Sequence, residues 1–338
     1  MADGTEHKPE TSGPEWPADR VAVLPSATGV LTIDLGAIQR NYRTLCGLVA
    51  PAECAGVVKA DAYGLGVRQV VPALAAAGCR TFFVATLAEA RALREVEHGA
   101  AVYVLDGLFL GAAAEFHAVG ARPVLGSMAE VEEWAAHGSG ARPAALHIDT
   151  GMNRLGIKPN DYPALLAARE RLAALPVDLV LSHLSCADTP EHDKNAAQLA
   201  AFAEITAKLP GMRRSLANSA GCFFGADFAF DLARPGIALY GGNPFSRRAN
   251  PMEPVIRLQG RIAQLGEAER GETVGYGAAK TLTRRTRYAT VTTGYADGYF
   301  RVLGSHDGLE GAVAQLGGHA LPILGLSLIH ISEPTRPY

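Results

Sequence analysis

Short apolar runs alternate with Ala- and Leu-rich stretches along the middle of the chain, and this alternation restricts the fold more than any other feature. Runs with the length and composition of β-strands are Cys54–Val58, Thr81–Ala85, Val102–Leu105, Pro123–Gly126, Ala145–Asp149, Asp178–His183, Ser215–Asn218 and Leu232–Tyr240. Helical periodicity lies between most of them, at Leu87–Glu97, Met128–His137, Pro163–Leu172 and Lys194–Leu209. This order predicts an α/β fold with a (β/α)8 barrel of the TIM type, and a doubly wound parallel sheet is the alternative.

The composition changes after Asn243. Val, Thr, Gly and Arg dominate the stretches VIRLQGRIAQL and RYATVTTGYADG, which predicts a second, mostly β domain. Residues 1–28 are rich in Pro, Glu, Asp and Gly and are expected to form a disordered leader. We therefore expect a barrel domain over 29–243 and a β domain over 244–338.

Bulk composition argues against several classes of function. The net charge of -3 and the pI near 6.4 give no signal for polyanion binding, so nucleic acid is not an expected partner. The five cysteines form no C-x-x-C pair, which argues against a metal site or a disulfide framework and suits a reducing cytosol. The first residues lack the apolar segment of a secretory signal, and no apolar run approaches the ~20 residues of a membrane span. We expect a cytoplasmic protein without a membrane partner.

One segment, VVKADAYGLG, ends an apolar strand with a single lysine, Lys59. Tyr63 follows on the same stretch, and Gly64 and Gly66 open the next segment. A lysine at the end of a buried strand is placed to lose its proton and to form a Schiff base. The structural alternative is that Lys59 only reaches solvent from a loop.

Further candidate residues follow the other predicted strands. They are Arg154 after the fifth strand, His183 at the end of the sixth, Asn218 and Ser219 after the seventh, and Arg234, Gly236 and Ile237 in the region of the eighth. Each has a structural alternative, because an arginine after a glycine turn usually binds a carbonyl and Asn-Ser is an ordinary helix cap. Catalytic groups of a barrel lie at the carboxyl ends of its strands, so the joint placement of these residues predicts one active site.

Several short motifs occur together and in one order: VVKADAYGLG, DTGMNRLG, SHLSCAD, ANSAG, RPGIALYG, VGYGAAK and TGYADGYFR. With this ordered set, the chain resembles the alanine racemases over residues 29–325. The resemblance implies a fold-type III enzyme that uses pyridoxal 5'-phosphate (PLP) to interconvert L- and D-alanine and so supplies D-alanine for peptidoglycan. It also implies a homodimer with shared active sites, and it implies no metal.

The resemblance also implies a role for each motif residue. Lys59 would be the Schiff-base lysine and one catalytic base, and Tyr276 the opposing base, donated by the other subunit. Contacts to the cofactor would come from Tyr63, Ser219 and the amides of Gly236 and Ile237 at the phosphate, and from Arg234 at the pyridine nitrogen. Around them, Arg154 would face the substrate carboxylate and the phenolic oxygen of PLP, His183 would lie near the ring arginine, and Tyr295 would help to close the entrance.

The chemistry of racemisation supports these roles. A proton leaves one face of the α-carbon and another arrives on the opposite face, so two bases are needed, and Lys59 with Tyr276 supplies them. An acidic residue at the ring nitrogen would keep that nitrogen protonated and make the ring a strong electron sink. Arg234 donates a hydrogen bond there instead, which favours simple proton exchange over transamination or decarboxylation.

The chain departs from the family at His147, two residues before Asp149, where family members often carry a carbamylated lysine. A histidine cannot carry a carbamate, so Arg154 must be oriented in another way, for example by an anion. The alternative interpretation makes His147 a satisfied core histidine without a role at the site.

The other departure follows Gly325. There the family continues with a Met-Asp segment and later a tyrosine, whereas this chain reads LSLIHISEPTRPY. Residues 326–338 resemble a translated sequencing adapter, so we expect a truncated racemase that is poorly soluble and feebly active. The alternative is a genuine short strand, LSLIHI, followed by a Pro-rich tail.

Other functions compatible with a PLP barrel stay open at this point. One is another fold-type III enzyme, either a serine racemase or an amino-acid decarboxylase, although decarboxylases use a Gly-Gly-Gly phosphate loop and a carboxylate at the ring nitrogen. Others are a non-catalytic PLP-binding protein, which in that family is a barrel alone, and an inert truncated product. The segment after Asn243, with Tyr276, argues against the barrel-only protein.

Overall fold

The structure is a computed structural model that describes residues 24–137, 143–168, 177–325 and 333–334. Several expected segments lie partly outside the described residues. They are residues 1–23 of the leader expected at 1–28, residues 169–172 of the expected helix Pro163–Leu172, and most of the tail, 326–332 and 335–338. The chain divides into two compact units, one of residues 33–256 and one of residues 1–32 with 257–338. We call them the barrel unit and the β unit and describe each by itself.

Strands and helices alternate up to residue 233. The strands are β1 (Gly29–Ile33), β2 (Glu53–Cys54), β3 (Gly56–Val57), β4 (Thr81–Val84), β5 (Ala101–Val104), β6 (Arg122–Leu125), β7 (Ala144–His147), β8 (Val177–Leu181), β9 (Arg213–Ser215) and β10 (Leu232–Ala233). The helices are α1 (Leu35–Val49), α2 (Val67–Ala76), α3 (Leu87–Arg94), α4 (Ala113–Val119), α5 (Met128–His137), α6 (Tyr162–Ala167), α7 (Lys194–Ala207) and α8 (Ala226–Ala229).

Parallel pairing closes these strands into a barrel. Strands β3 to β9 form a seven-stranded sheet in chain order, and β10 pairs with β2. The Ala55 amide donates to the Ala233 carbonyl at 2.9 Å, and the Arg234 amide donates to the Ala217 carbonyl at 2.9 Å. The eighth strand is therefore bonded to both the first and the seventh, so the predicted (β/α)8 barrel is confirmed and the doubly wound sheet is wrong.

The eighth strand is shorter than its sequence indicates. The apolar run Leu232–Tyr240 predicts a continuous strand, but β10 ends at Ala233 and a 3-10 turn covers Ile237–Tyr240. The turn is held by a side chain from another strand end, because the Gly236 amide donates to Ser219 Oγ at 2.9 Å. A hydrogen bond between distant residues thus redirects the chain where local propensity alone predicts extension.

Two apolar layers explain why the strands are buried on both faces. Adjacent residues Phe82 and Phe83 on β4 point to opposite sides of the sheet, as the period of two along a strand requires. The inner layer fills the barrel with residues from successive strands: Ala55, Val57, Phe83, Tyr103, Val124, Ala145, Leu179, Leu181 and Leu232. The outer layer packs the strands against the helices. The barrel is therefore a filled core whose free space lies at its ends.

Helix α3 shows how local sequence sets an element boundary. Thr86 precedes it, and its hydroxyl accepts the Glu89 amide at 3.2 Å while the Glu89 carboxylate returns to the Thr86 amide, a capping box. Arg91 and Arg94 lie in the last turn, where cations complement the helix dipole. The same Glu89 carboxylate also reaches the segment after β3, so the cap of this helix contributes to the site described below.

The β unit contains the remaining strands, which are β11 (Ile256–Gly260), β12 (Ile262–Ala268), β13 (Thr273–Val274), β14 (Lys280–Thr281), β15 (Thr286–Val291), β16 (Val313–Leu316), β17 (His319–Leu324) and β18 (Glu333–Pro334). Strand β12 pairs antiparallel with β15, β13 with β14, and β17 with both β16 and β18, while β11 pairs with β1. This is the mostly β region that the change in composition predicts. None of the helices in the described ranges has the length and apolar character needed to cross a bilayer.

Candidate active site

A cavity of about 460 Å³ opens at the carboxyl ends of the barrel strands. It brings together every barrel residue that the sequence motifs single out: Lys59, Tyr63, Arg154, His183, Ser219, Arg234, Gly236 and Ile237. Asn218 and His147 also line it. The end of the barrel at which catalytic groups of this architecture lie is therefore the end that holds the predicted residues.

Lys59 stands immediately before an unusual backbone segment. Ala60, Asp61, Ala62 and Tyr63 all have φ between 53° and 58°, the left-handed helical region. Left-handed helix costs roughly 1–2 kcal/mol per non-glycine residue because Cβ crowds the next carbonyl oxygen. Strain of this kind persists only where surrounding contacts fix it, and it concentrates at functional sites.

Hydrogen bonds to side chains hold this left-handed turn in place. Glu89 Oε1 accepts the Ala60 amide at 2.9 Å, and its Oε2 accepts the Ala85 amide at 2.7 Å. Asp61 Oδ1 accepts the Val67 amide at 2.7 Å and so fixes the start of α2. Glu89 thus fixes the start of the turn, next to Lys59, and Asp61 connects the turn to the start of α2.

Tyr63 and Ser219 meet around Gly236. The ring of Tyr63 packs on that of Tyr240 with centroids 4.7 Å apart, and Tyr240 donates its hydroxyl to the Val57 carbonyl at 2.8 Å. A Cβ on Gly236 would lie 2.2 Å from the Tyr63 hydroxyl, so this close approach requires glycine. Burial raises the pKa of Tyr63, which keeps its hydroxyl protonated and able to donate a hydrogen bond.

The hydroxyl of Ser219 accepts two backbone amides, from Gly236 at 2.9 Å and from Ala238 at 3.3 Å. Its own proton remains available for a group in the cavity that it lines. Hydroxyl and amide donors at a tight backbone turn are the usual partners of a phosphate, and they need no cation beside them. The residues present therefore fit the phosphate of PLP.

Arg234 is buried at the floor of the cavity. Its Nη1 donates to Ser215 Oγ, its Nη2 donates to the Ser182 carbonyl at 2.5 Å, and its Cζ lies 5.8 Å from the centroid of the Phe83 ring. Burial lowers the pKa of Arg234 to about 10, which still leaves the guanidinium charged at neutral pH. The cavity floor thus carries a fixed positive charge with directed N–H donors.

Two histidines beside this arginine are held neutral. Burial, followed by the positive charge of Arg234, lowers the pKa of His147 to about 4 and the pKa of His183 to about 3. Gln198 Nε2 donates to the His183 carbonyl at 2.9 Å and fixes its strand end. At neutral pH both imidazoles are therefore uncharged, and they add polar atoms to the cavity without adding charge.

Asp149 shapes the loop that carries Arg154. Its Oδ1 accepts the amides of Gly151 and Met152, each at 2.9 Å, and its Oδ2 pairs with Lys158 Nζ. Burial alone would raise the pKa of this carboxyl, but these hydrogen bonds outweigh burial and hold its pKa below the usual range. The guanidinium of Arg154 lines the cavity and has no ion-pair partner within the described ranges, so it is available for an anion.

Tyr276 and Tyr295 belong to the β unit and are not among the residues that line this cavity. Both begin short 3-10 turns, and their side chains are exposed, Tyr276 to 70% and Tyr295 to 48%. Of the predicted site residues, the structure brings together those of the barrel unit and leaves these two outside the group. Their roles at the site stay predictions.

Sequence reasoning missed two residues that contribute to the site, Glu89 and Asp149, which act through backbone amides. It left His147 open between a place at the site and a place in the core, and the structure shows that His147 lines the cavity. A capping box at Thr86 and an Asp two residues before a glycine turn were available as local signals for the two carboxylates. No local signal separates a cavity histidine from a core histidine.

Comparisons with known proteins agree with this geometry. The family model "Alanine racemase, N-terminal domain" matches residues 33–244, and "Alanine racemase, C-terminal domain" matches residues 255–326. The alanine racemase of Rhodospirillum rubrum is 48% identical over 304 residues, which is 88% of this chain and 80% of that protein. The alanine racemase of Methylobacterium nodulans is 49% identical over 298 residues, 87% of this chain and 79% of that protein.

Solved structures show the same relationship. The crystal structure of an alanine racemase from Bartonella henselae, with covalently bound pyridoxal phosphate, superposes with a TM-score of 0.84 at 38% identity. The match covers 91% of this chain and 86% of that one. The closed barrel has a lysine-bearing cavity at its end, both domain models match, and relatives reach nearly 50% identity. This chain therefore belongs to the alanine racemase family.

Proposed function

We propose that this protein is a PLP-dependent amino-acid racemase that interconverts L-alanine and D-alanine in the cytoplasm and supplies D-alanine for peptidoglycan. The observation that carries the proposal is the pairing, in one cavity, of the strand-end lysine Lys59 with the buried arginine Arg234. The lysine provides covalent attachment and a base. The arginine would set the kind of chemistry, since at the ring nitrogen it would take the place of the carboxylate used by enzymes that need a protonated ring.

The residues of the cavity fit PLP as cofactor. Lys59 would bind its aldehyde carbon, while the hydroxyls of Tyr63 and Ser219 and the amide of Ile237 would hold its phosphate. The Gly236 amide, which donates to Ser219 Oγ, would exchange that hydrogen bond for one to the phosphate. Bound PLP supplies electron withdrawal that acidifies the α-hydrogen of an attached amino acid. No cation is needed at the phosphate, because hydroxyl and amide donors carry the interaction.

Arg234 restrains that electron withdrawal. Its guanidinium is fixed by Ser215 and Ser182 and stays charged, so it can donate a hydrogen bond to the ring nitrogen but cannot protonate it. A nitrogen without a proton makes the ring a weaker electron sink. Such a ring would favour return of the proton over loss of the carboxylate or transfer of the amine, which argues against a decarboxylase.

Two bases on opposite faces of the substrate complete the proposal. Lys59 in the barrel is one, and Tyr276 of the β unit of a second subunit is the other, which requires a homodimer with shared active sites. The 70% exposure of Tyr276 supports this assignment, because its ring is free to enter a partner's site. Arg154 would bind the substrate carboxylate, and Tyr295 would narrow the entrance.

Replacement of the lysine tests the function directly. In Lys59→Ala we expect formation of D-alanine and exchange of the alanine α-hydrogen with deuterated water to fall by roughly 10³-fold or more, since base and attachment are lost together. Borohydride reduction followed by mass measurement should show cofactor bound to the parent protein and none bound to the variant.

A matched control is Lys208→Ala, which removes an exposed lysine of the barrel unit that pairs with Glu204 on the same helical face. It should racemise alanine at the parental rate. Racemisation that survives in Lys59→Ala would overturn the proposed role of this lysine. A parent protein that binds PLP but exchanges no alanine proton would overturn the proposed function.

A further inference from the structure

Tyr240 is buried against residues that line the cavity, and the chemistry proposed above gives it no role. It is the last residue of the 3-10 turn Ile237–Tyr240. Its hydroxyl donates to the Val57 carbonyl at 2.8 Å, and its ring packs on the ring of Tyr63 with centroids 4.7 Å apart. One side chain therefore contacts both the strand that leads to Lys59 and a tyrosine of the cavity.

The register of the barrel explains why the Val57 carbonyl needs this hydroxyl. Where the first strand meets the eighth, amides of every second residue donate to carbonyls: Glu53 to Asp231 at 3.1 Å, Ala55 to Ala233 at 2.9 Å and Val57 to Pro235 at 3.1 Å. In a parallel pair, the carbonyl of each such residue accepts from the partner residue two positions further on. The Val57 carbonyl would therefore accept the Ile237 amide if the eighth strand continued. Because β10 ends at Ala233 and the chain turns, the Tyr240 hydroxyl takes that place.

This change of partner releases the Ile237 amide. Within the described ranges this amide has no protein acceptor, and Ile237 lines the cavity. Burial raises the pKa of Tyr240 well above its usual value, so at neutral pH the hydroxyl keeps its proton and remains a donor. A buried strand carbonyl without a donor is costly. Loss of the Tyr240 hydroxyl would therefore favour return of the Ile237 amide to the Val57 carbonyl.

The ring of Tyr240 acts on a second donor of the cavity. Among the described residues the Tyr63 hydroxyl has no hydrogen-bond partner, so packing sets its position. The Tyr240 ring lies against the Tyr63 ring, and Gly236 approaches the Tyr63 hydroxyl so closely that a Cβ there would be 2.2 Å away. The position of this hydroxyl therefore depends on the ring of Tyr240.

We propose that Tyr240 is a positioning residue for phosphate recognition, because it releases the Ile237 amide as a donor and holds the Tyr63 hydroxyl in the same cavity. The inference rests on the proposed function, which supplies PLP as the phosphate compound. Both donors would contact the phosphate and no other part of PLP. Loss of Tyr240 should therefore weaken phosphate recognition and leave attachment at Lys59 intact.

The test compares the binding of PLP with that of pyridoxal, which has the same ring and aldehyde but no phosphate. The full chain, freed of cofactor with hydroxylamine, is titrated with each compound, and the absorbance of the bound form gives both Kd values. Tyr240→Phe removes the hydroxyl and keeps the ring. We expect its Kd for PLP to rise roughly 10-fold or more, as for loss of a hydrogen bond to a charged group, while its Kd for pyridoxal stays unchanged. The ³¹P resonance of bound PLP should shift as well.

Tyr42→Phe is the matched control. Tyr42 is also buried, and its hydroxyl donates to the carbonyl of Cys54 in the first strand at 2.9 Å, but it does not line the cavity. Urea unfolding should show that both variants lose stability, whereas the ratio of the two Kd values should change only in Tyr240→Phe. Equal weakening of PLP and pyridoxal binding in Tyr240→Phe, or the same change of ratio in Tyr42→Phe, would show a merely structural role and overturn the proposal.

Tyr240→Leu tests the contact between the rings. It should weaken PLP binding more than Tyr240→Phe does, and the additional loss should disappear in a Tyr63→Phe background, where the hydroxyl that the ring positions is absent. An additional loss that persists there would contradict the proposed action through Tyr63.

The parent protein separates this inference from the function on which it rests. A parent that binds PLP no more tightly than pyridoxal would overturn the proposed cofactor site and the role of Tyr240 with it. A parent that prefers PLP, together with an unchanged ratio in Tyr240→Phe, would overturn the role of Tyr240 alone.

Discussion

The barrel unit and the β unit bury their apolar residues to very different extents. In the barrel unit a continuous outer layer and a separate inner layer enclose almost every large apolar side chain of the strands, among them Leu146 at 0% exposure. The buried cluster of the β unit is small and consists of Val274, Leu282 and Leu324. Leu265 of β12, in contrast, is 65% exposed. The described strands of the barrel unit thus bury their apolar side chains, and the β unit leaves apolar surface that further contacts could cover.

The polar residues differ in the same way. In the barrel unit the side chains of the site are held by several partners each, as with Arg234 between Ser215 and Ser182. In the β unit Tyr276 and Tyr295 are exposed on short turns. A group that is fixed before substrate arrives suits cofactor binding, whereas an exposed group suits a site completed by association. The difference is the one expected if the chemistry is divided between the units of two chains, as proposed above.

The largest expected effect tests this division. Lys59→Ala and Tyr276→Phe chains should each lose roughly 10³-fold in racemisation, since each lacks one base. After the two are mixed and allowed to exchange subunits, each heterodimer contains one site with both bases. Random exchange makes half of the dimers mixed, with half of their sites intact, so activity should recover to about one quarter of the parental value.

Tyr288→Phe is the matched control for this experiment, because it removes the hydroxyl of another tyrosine of the β unit and should leave racemisation unchanged. Heterodimers must be shown directly, for example by native mass spectrometry of chains with different tags. Heterodimers without any recovered activity would mean that no base is shared, and the proposed division between subunits would be wrong.

A smaller effect compares the two cores with the same change of residue. Leu146→Ala on β7 removes a fully buried side chain and should lower the free energy of unfolding by about 2–5 kcal/mol, through lost transfer energy and a cavity. Leu265→Ala on β12 removes an exposed side chain and should cost less than about 0.5 kcal/mol. Urea unfolding of both variants at one protein concentration measures the difference. Equal costs would show that Leu265 is buried against a partner.

Much of the barrel could be predicted from the sequence, because short local patterns of apolar residues determine where its strands and helices lie. The period of apolar runs identifies strands such as Thr81–Val84, and the rule that catalytic groups follow parallel strands groups Lys59, His183 and Arg234 before any coordinates are known. The structure places these residues around one cavity. The roles assigned to them through the family resemblance stay predictions.

What sequence could not predict depends on contacts between distant residues. Ala60, Asp61 and Ala62 have no local preference for the left-handed region, and the turn that they form is held in part by Glu89 from another helix. The position of His147 in the cavity has the same cause, because a buried strand residue faces either packed neighbours or free space according to the whole barrel. Only the folded barrel shows whether such a residue faces packed neighbours or free space.

The smallest effect concerns the charge state of His147, which the barrel holds neutral. Burial and the cations Arg234, Arg154 and Lys158 lower its pKa to about 4, while the nearby Asp149 opposes them. An unfolded histidine has a pKa of about 6.5 and binds a proton first as the pH falls. Between about pH 6.5 and 4 the unfolded state therefore holds more protons than the folded state. The part of the folding free energy that depends on the protonation of His147 is therefore fully present above about pH 6.5 and is lost as the pH falls to about 4.

We expect His147→Asn to weaken this dependence. Each proton taken up only by the unfolded state contributes roughly 1.4 kcal/mol per pH unit to the slope of the free energy of unfolding against pH. Between about pH 6 and 4.5 the free energy of unfolding of the variant should therefore fall less steeply than that of the parent. The two slopes should differ by roughly 1.4 kcal/mol per pH unit. His98→Asn, which changes an exposed histidine, should leave the slope unchanged. His183 remains in both variants and, with its pKa held at about 3, keeps a residual slope. An unchanged slope in His147→Asn would mean that this imidazole is protonated in the folded barrel, and the cavity beside Arg234 would then be more polar than its burial indicates.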